Sequence, residues 1–260
     1  MILAIAGKEL RRLFASPLAW VVLAFLQLIL AWIFLRSLQT FLDLQAQLAT
    51  MPTAPGLTEI IIAPTFGTAT VVLLMVVPLL SMRLISEERR NQTLPFLMSA
   101  PVSISQIVLG KFAGLLAFLC IAVMLLLLMA LSLYLGGKID IGLLAGNVLG
   151  LLLLCGCFAA VGLYFSSLTA QPLIAGIGTF AVLLGLWLIN ISTDDPESPL
   201  HLLSLIKHYD GFSRGVVTLQ DGVYYVVLIA LFLLLSIRRL DGDRLRTCCL
   251  LYTSPSPRDS

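Results

Sequence analysis

Charge is scarce in this chain. Only 12% of its 260 residues are Asp, Glu, Lys or Arg, against 59% hydrophobic residues, and the mean hydropathy is +1.03. A soluble domain carries about one quarter charged residues, so the composition excludes an ordinary water-soluble globule and points to the bilayer. No acidic or basic residue stands in the middle of any long apolar run. Ion-coupled carriers and proton pumps place such groups at mid-membrane depth, where a transported charge needs a partner. Their lack argues against an ion-driven pump, although neutral ligands from unwound helices stay open. There is no His-Glu-x-x-His, which excludes a zincin site, and no Gly-x-x-x-x-Gly-Lys-[Ser/Thr], because Gly136-Gly137-Lys138 lacks the earlier glycine. The expectation is a chain with no ATPase site, no cofactor and no metal of its own. Histidine is limited to His201 and His208, seven apart; interface anchoring suits them better than metal binding without a carboxylate array. Of the five cysteines, Cys120, Cys155 and Cys157 fall inside apolar runs, and the last two point to different helix faces. They read as small packing residues.

Long apolar runs are abundant: Leu18–Leu35, Phe66–Met82, Phe112–Leu135, Leu143–Phe165, Leu173–Ile191 and Val223–Ile237. About 20 helical residues cross a hydrocarbon core of about 30 Å. Barrel strands would alternate in polarity and be about half as long. The fold class is therefore all-α, a polytopic membrane protein with six spans at about 18–35, 66–82, 107–135, 143–165, 173–191 and 222–238, within one domain covering 1–246. Met1–Arg12 has internal charges and no cleavage motif, so the first run is expected to remain as a span. With the N-terminus inside, twelve Lys and Arg lie in the cytoplasm and four outside, the arrangement the positive-inside rule selects. Both termini are then cytoplasmic. The basic residues border the membrane, where anionic lipid accounts for them, and nothing suggests a nucleic-acid partner.

Along the chain, Leu3, Ala6, Leu10, Leu13 and Phe14 share one helical face, while Lys8, Arg11 and Arg12 gather on the other. This predicts an interfacial elbow helix turned into the first span by Ser16-Pro17, or else a plain basic flank that fixes topology. Arg36–Ala63 reads as an external segment in which Pro52, Pro55 and Pro64 break any long helix. Pro78 predicts a kink in the second span, and Ser103-x-x-Gln106 a capping box before the third. Gly146-x-x-x-Gly150 permits close helix contact, within the chain or at a dimer seam. Leu202, Leu205, Ile206, Tyr209, Phe212 and Val216 recur at helical spacing and predict a short helix in or dipping into the outer interface. After Arg246 the sequence changes character, and 247–260 reads as a foreign tail expected to be disordered, or else as a genuine short cytoplasmic tail.

The polar exception is Ile85–Leu94, a charged hairpin between the second and third spans. Consecutive Glu87, Glu88, Arg89 and Arg90 encircle a helix axis, so they suit a segment projecting beyond the lipid rather than one buried site. Thr93 can cap a short helix that exposes Leu94, Phe96, Leu97 and Met98. Apolar side chains framed by charge suit a docking surface; the alternative is a solvated turn whose apolar residues rest on the membrane.

Glu87-Glu88-Arg89 through Thr93-Leu94, then Leu97–Val102 and Val108-Leu109-Gly110-Lys111, resembles the cytoplasmic hairpin of ABC-2 type transporter permeases. Lys8–Arg11 with Phe14-x-Ser16-Pro17-Leu18, and Phe212-x-Arg214-Gly215-Val216-Val217 with Asp221, are similar to the gliding-motility-associated branch. The resemblance covers roughly Met1–Arg246 and departs at two places. Gln92 and Pro95 stand where such permeases commonly show a Gly before the Thr and an acidic residue two after it. It implies an exporter permease in a bacterial inner membrane that dimerises, as a homodimer or heterodimer, and pairs with ATP-binding cassette subunits which bind and hydrolyse the ATP. Glu87, Glu88, Arg89, Thr93, Leu94 and Leu97 would form the coupling element; Lys8, Arg11 and Arg12 would hold the elbow against membrane lipid. A stand-alone carrier or channel, or a membrane-embedded enzyme built on His201, His208 and Asp210, are the rival readings.

Overall fold

A computed structural model describes residues 1–48, 56–92, 103–135, 140–192 and 204–252. Among these the regular elements are all helical, as the all-α reading requires, and no strand occurs. Six helices are long and apolar enough to cross a membrane.

Helix α1 (Ile2–Ala15) is amphipathic, with Lys8, Arg11 and Arg12 exposed. Ser16 leaves the helix with extended backbone (φ −83°, ψ 129°), and Pro17 opens α2 (Pro17–Leu48), a position where its missing N–H costs nothing. At 32 residues α2 is about 48 Å long and outruns the hydrocarbon core. Helix α3 (Leu57–Ser81) starts earlier than the apolar run, and Pro64 lies inside it rather than ending it. Pro64 lacks the N–H that would reach the Ile60 carbonyl, so the helix runs on at the loss of one bond; nearby, the Thr65 hydroxyl donates to the Ile61 carbonyl (2.7 Å) and Thr68 to that of Pro64 (2.9 Å). Pro52 and Pro55 lie outside the described residues. The short α4 (Ser86–Arg90) carries the charged run.

Ser103 caps α5 (Ile104–Leu131) by accepting from the Gln106 N–H (3.4 Å), and a 3₁₀ turn, Ser132–Leu135, ends that arm. Asp140 caps α6 (Ile141–Leu168). Then follow α7 (Pro172–Ser192), α8 (Leu205–Ser213) and α9 (Leu219–Tyr252).

Helix α6 is the axis of the bundle, packed against α3, α5, α7, α8 and α9. Its nine residues from Cys155 to Leu163 are all buried, so no face of that stretch meets lipid. The sulfurs of Cys155 and Cys157 sit in this packing as small residues. Small residues matter here because lipid tails are as apolar as Leu, leaving close van der Waals contact to hold helices together. The Gly146/Gly150 pair belongs to such a contact within the chain. A Cβ on Gly146 would lie 2.9 Å from the Phe212 carbonyl oxygen, and one on Gly150 only 2.6 Å from Phe212 Cβ. These two glycines are the seat of α8, whose Leu205 and Phe212 are fully buried. The Tyr225 hydroxyl of α9 donates to the Leu205 carbonyl (2.9 Å) and ties down the other end.

Candidate coupling site

The polar residues of α1, α4, α5 and α9 meet at one end of the bundle. The elbow α1 reaches it through a second glycine pair. A Cβ on Gly110 would stand 2.7 Å from Ile5 Cβ, and one on Gly114 would stand 2.8 Å from Glu9 Cβ and 3.1 Å from the Ala6 carbonyl oxygen. Only hydrogen fits there, so α1 lies directly on the α5 backbone.

Between those glycines is Lys111, only 1% exposed. A buried ammonium needs close counter-charges, because the desolvation cost otherwise exceeds anything packing returns. It has two: its Nζ donates to Glu9 Oε1 of the elbow and to Glu88 Oε1 of α4, each at 2.6 Å. Arg12 adds a bridge at the surface, 3.0 Å from Glu87 Oε2 and 3.6 Å from Glu88 Oε1. Two cations and three carboxylates thus link three elements. On another side of α4, Arg89 donates to Asp243 of α9.

The start of α4 is clamped to the axis helix. Ser166 of α6 accepts from the N–H groups of Ile85 (3.0 Å) and Ser86 (3.1 Å), and its hydroxyl donates to the Met82 carbonyl (3.1 Å). One donor and two lone pairs are then all used. Downstream, α4 ends at Asn91, and Gln92 adopts a left-handed backbone (φ 55°). That conformation costs a non-glycine residue about 1–2 kcal/mol, which explains why glycine suits this place in similar hairpins.

Glu87, Glu88 and Arg89 therefore do encircle α4, but they are not simply projecting charges. The neighbouring elements surround α4 on three sides and supply an opposite charge on each. Arg90 is exposed. Thr93, Leu94 and Leu97 lie outside the described residues, as does His201. Lys8 and Arg11 stay on the exposed face of the elbow, whereas Arg12 turns to α4. Sequence reasoning missed Glu9, Lys111, Gly114, Ser166 and Asp243. The signal for the first three was a Gly110-Lys111-x-x-Gly114 step inside an apolar helix; Ser166 and Asp243 gave none.

At the opposite end, the residues of the enzyme reading do not converge. His208 Nδ1 pairs with Asp221 Oδ1 (2.6 Å) and stacks on Tyr224 with ring centroids 4.0 Å apart, while Asp210 pairs with Arg214 one turn on (2.7 Å). Burial pushes the Tyr209 hydroxyl well above the usual phenol range, so it stays protonated. No group of three His, Cys, Asp or Glu suited to a metal occurs among the described residues.

Six helices long and apolar enough to cross a membrane, counted among the described residues, define a multi-pass membrane protein. The family described as ABC-2 family transporter protein matches residues 3–242, and the chain belongs to it. Permeases of this family generally pair with an ATP-binding subunit. No curated protein matches the chain.

Proposed function

We propose that this chain is the membrane subunit of an ABC-2 type exporter in a bacterial inner membrane, dimeric and driven by separate ATP-binding cassette subunits, with both termini cytoplasmic. The observation that carries this reading is Lys111, whose ammonium joins the elbow and the charged hairpin to α5. A partner pressing on the hairpin meets a rigid unit rather than a loose loop, and closure of that partner becomes rigid-body movement of α3, α5 and α6. Glu87, Glu88 and Arg89 act as braces for this unit, and Thr93, Leu94 and Leu97 make the contact. Lys8 and Arg11 hold the elbow at anionic lipid, and the twelve-to-four division of basic residues supports the orientation. The elbow motif and Phe212-x-Arg214-Gly215 support membership of the gliding-motility-associated branch. Gly215 has φ +78° and fits against Leu143 of α6, where an added Cβ would be strained and stand 3.2 Å from the Leu143 Cα.

Co-expression with its ATP-binding subunit tests the proposal. Leu97→Asp is expected to abolish co-purification while membrane insertion persists. Unchanged association, or transport by the purified chain without any ATPase, would overturn it.

A further inference from the structure

Beyond the ionic braces, a cavity of about 820 Å³ opens between α4 and the turn joining α6 to α7. Met82, which follows α3, lines the cavity and packs on α7, where a Cβ on Gly176 would stand 3.1 Å from its Sδ. Its walls carry Arg83, Arg89 and Arg90 against a single carboxylate among the described lining residues, Glu87. That carboxylate is held by Arg12, and Arg89 is held by Asp243. Arg83 and Arg90 are exposed and make no ion pair among the described residues. The cavity therefore presents two uncompensated guanidinium groups, the donor geometry that recognises phosphate oxygens in pairs.

The apolar surroundings decide what carries that phosphate. Val71, Met75 and Leu79 are spaced four apart along α3 and exposed, and the exposed Arg83 follows four residues on, in the turn after the helix. This is one lipid-facing stripe ending in an arginine. Across the cavity, Leu173 is 70% exposed at its lip and Ile177, one turn deeper, is 61% exposed. A ligand with a phosphate head and long apolar chains matches both features, while a soluble phosphate matches only the first.

We infer that this cleft is a binding site for the head group of an anionic phospholipid from the surrounding leaflet, held by Arg83 and Arg90, with its acyl chains along α3 and α7. Glu87 and Arg89 of the hairpin also line the cavity, but the inference rests on Arg83, Arg90 and the apolar stripe and not on the exporter reading. A bound lipid would fill the space between the hairpin and α7 and couple leaflet composition to hairpin position.

The test is native mass spectrometry of the purified chain taken from nanodiscs of equimolar phosphatidylglycerol and phosphatidylcholine. The intact chain is expected to retain phosphatidylglycerol preferentially, and the Arg83→Gln, Arg90→Gln double variant to retain about tenfold less of it. Removing the same charge elsewhere on the exposed surface, Arg36→Gln with Arg238→Gln, is expected to change retention little. An equal loss in both double variants would reduce the effect to general surface attraction and overturn the site. So would displacement of the lipid by millimolar inorganic phosphate alone, or retention of phosphatidylcholine to the same extent. Both arginines are exposed, and matching thermal unfolding of the variants confirms that the fold is intact.

Discussion

Lys111 is the residue on which the charged end turns. Replacing it with Met would leave Glu9 and Glu88 facing each other without their shared cation, a change expected to cost about 3–5 kcal/mol. Thermal unfolding in detergent reads this as a clear fall in midpoint. The double variant Lys111→Met, Glu9→Gln should lose less than the sum of the two singles, since each partner's cost is the stranding of the other. Ser166→Ala makes a smaller hole with a comparable logic. It strands the buried N–H groups of Ile85 and Ser86, each worth about 1–3 kcal/mol. Gln92 works in the opposite sense. Its left-handed backbone favours glycine, so Gln92→Gly is expected to leave stability unchanged or raise it by up to about 1 kcal/mol, and Gln92→Val to lower it. The departure from glycine at this position was visible in the sequence; the reason was not, because a φ angle belongs to the folded chain.

At the level of elements, two helices rest on glycine pairs, and each pair makes its own prediction. Gly114→Val would push the elbow off α5 and loosen its backbone, so trypsin cleavage after the already exposed Lys8, Arg11 and Arg12 should accelerate many-fold over the parent chain. Gly150→Ala should destabilise α8 by about 1–3 kcal/mol through overpacking against Phe212, and Phe212→Ala added to it should restore part of the loss. The elements themselves were legible from periodicity: the elbow, the capping box at Ser103 and the short helix ending near Phe212 all follow from residue spacing. Helix limits were less legible. Pro64 suggested a break because proline lacks an N–H, yet α3 runs through it at the loss of a single i→i−4 bond. The glycine pair Gly146/Gly150 left two partners open until α8 was seen lying on it. Ionic partners were the least legible, since Glu9, Glu88 and Asp243 are brought to their cations by tertiary packing across as many as 154 residues of chain.

The molecule has one apolar axis, α6, and an end where Glu9, Arg12, Glu87, Glu88, Arg89, Lys111 and Asp243 meet, and the scarcity of charge that marks the sequence is what makes that end conspicuous. Its charges brace the hairpin from the inside, and the proposed coupling role assigns the partner contact to the sequence after Gln92. Arg12 and Glu87 test this division of labour most directly, because both are partly exposed and can be exchanged without burying a lone charge. The measurement is co-purification with the ATP-binding subunit, together with the ATPase activity of the assembled complex, for Arg12→Glu, Glu87→Arg and the exchanged pair. The braced arrangement requires that each single variant weakens assembly and that the exchange restores most of it. If the exchanged pair is as defective as Glu87→Arg alone, Glu87 contacts the partner directly, and the brace between elbow and hairpin is not what carries the force.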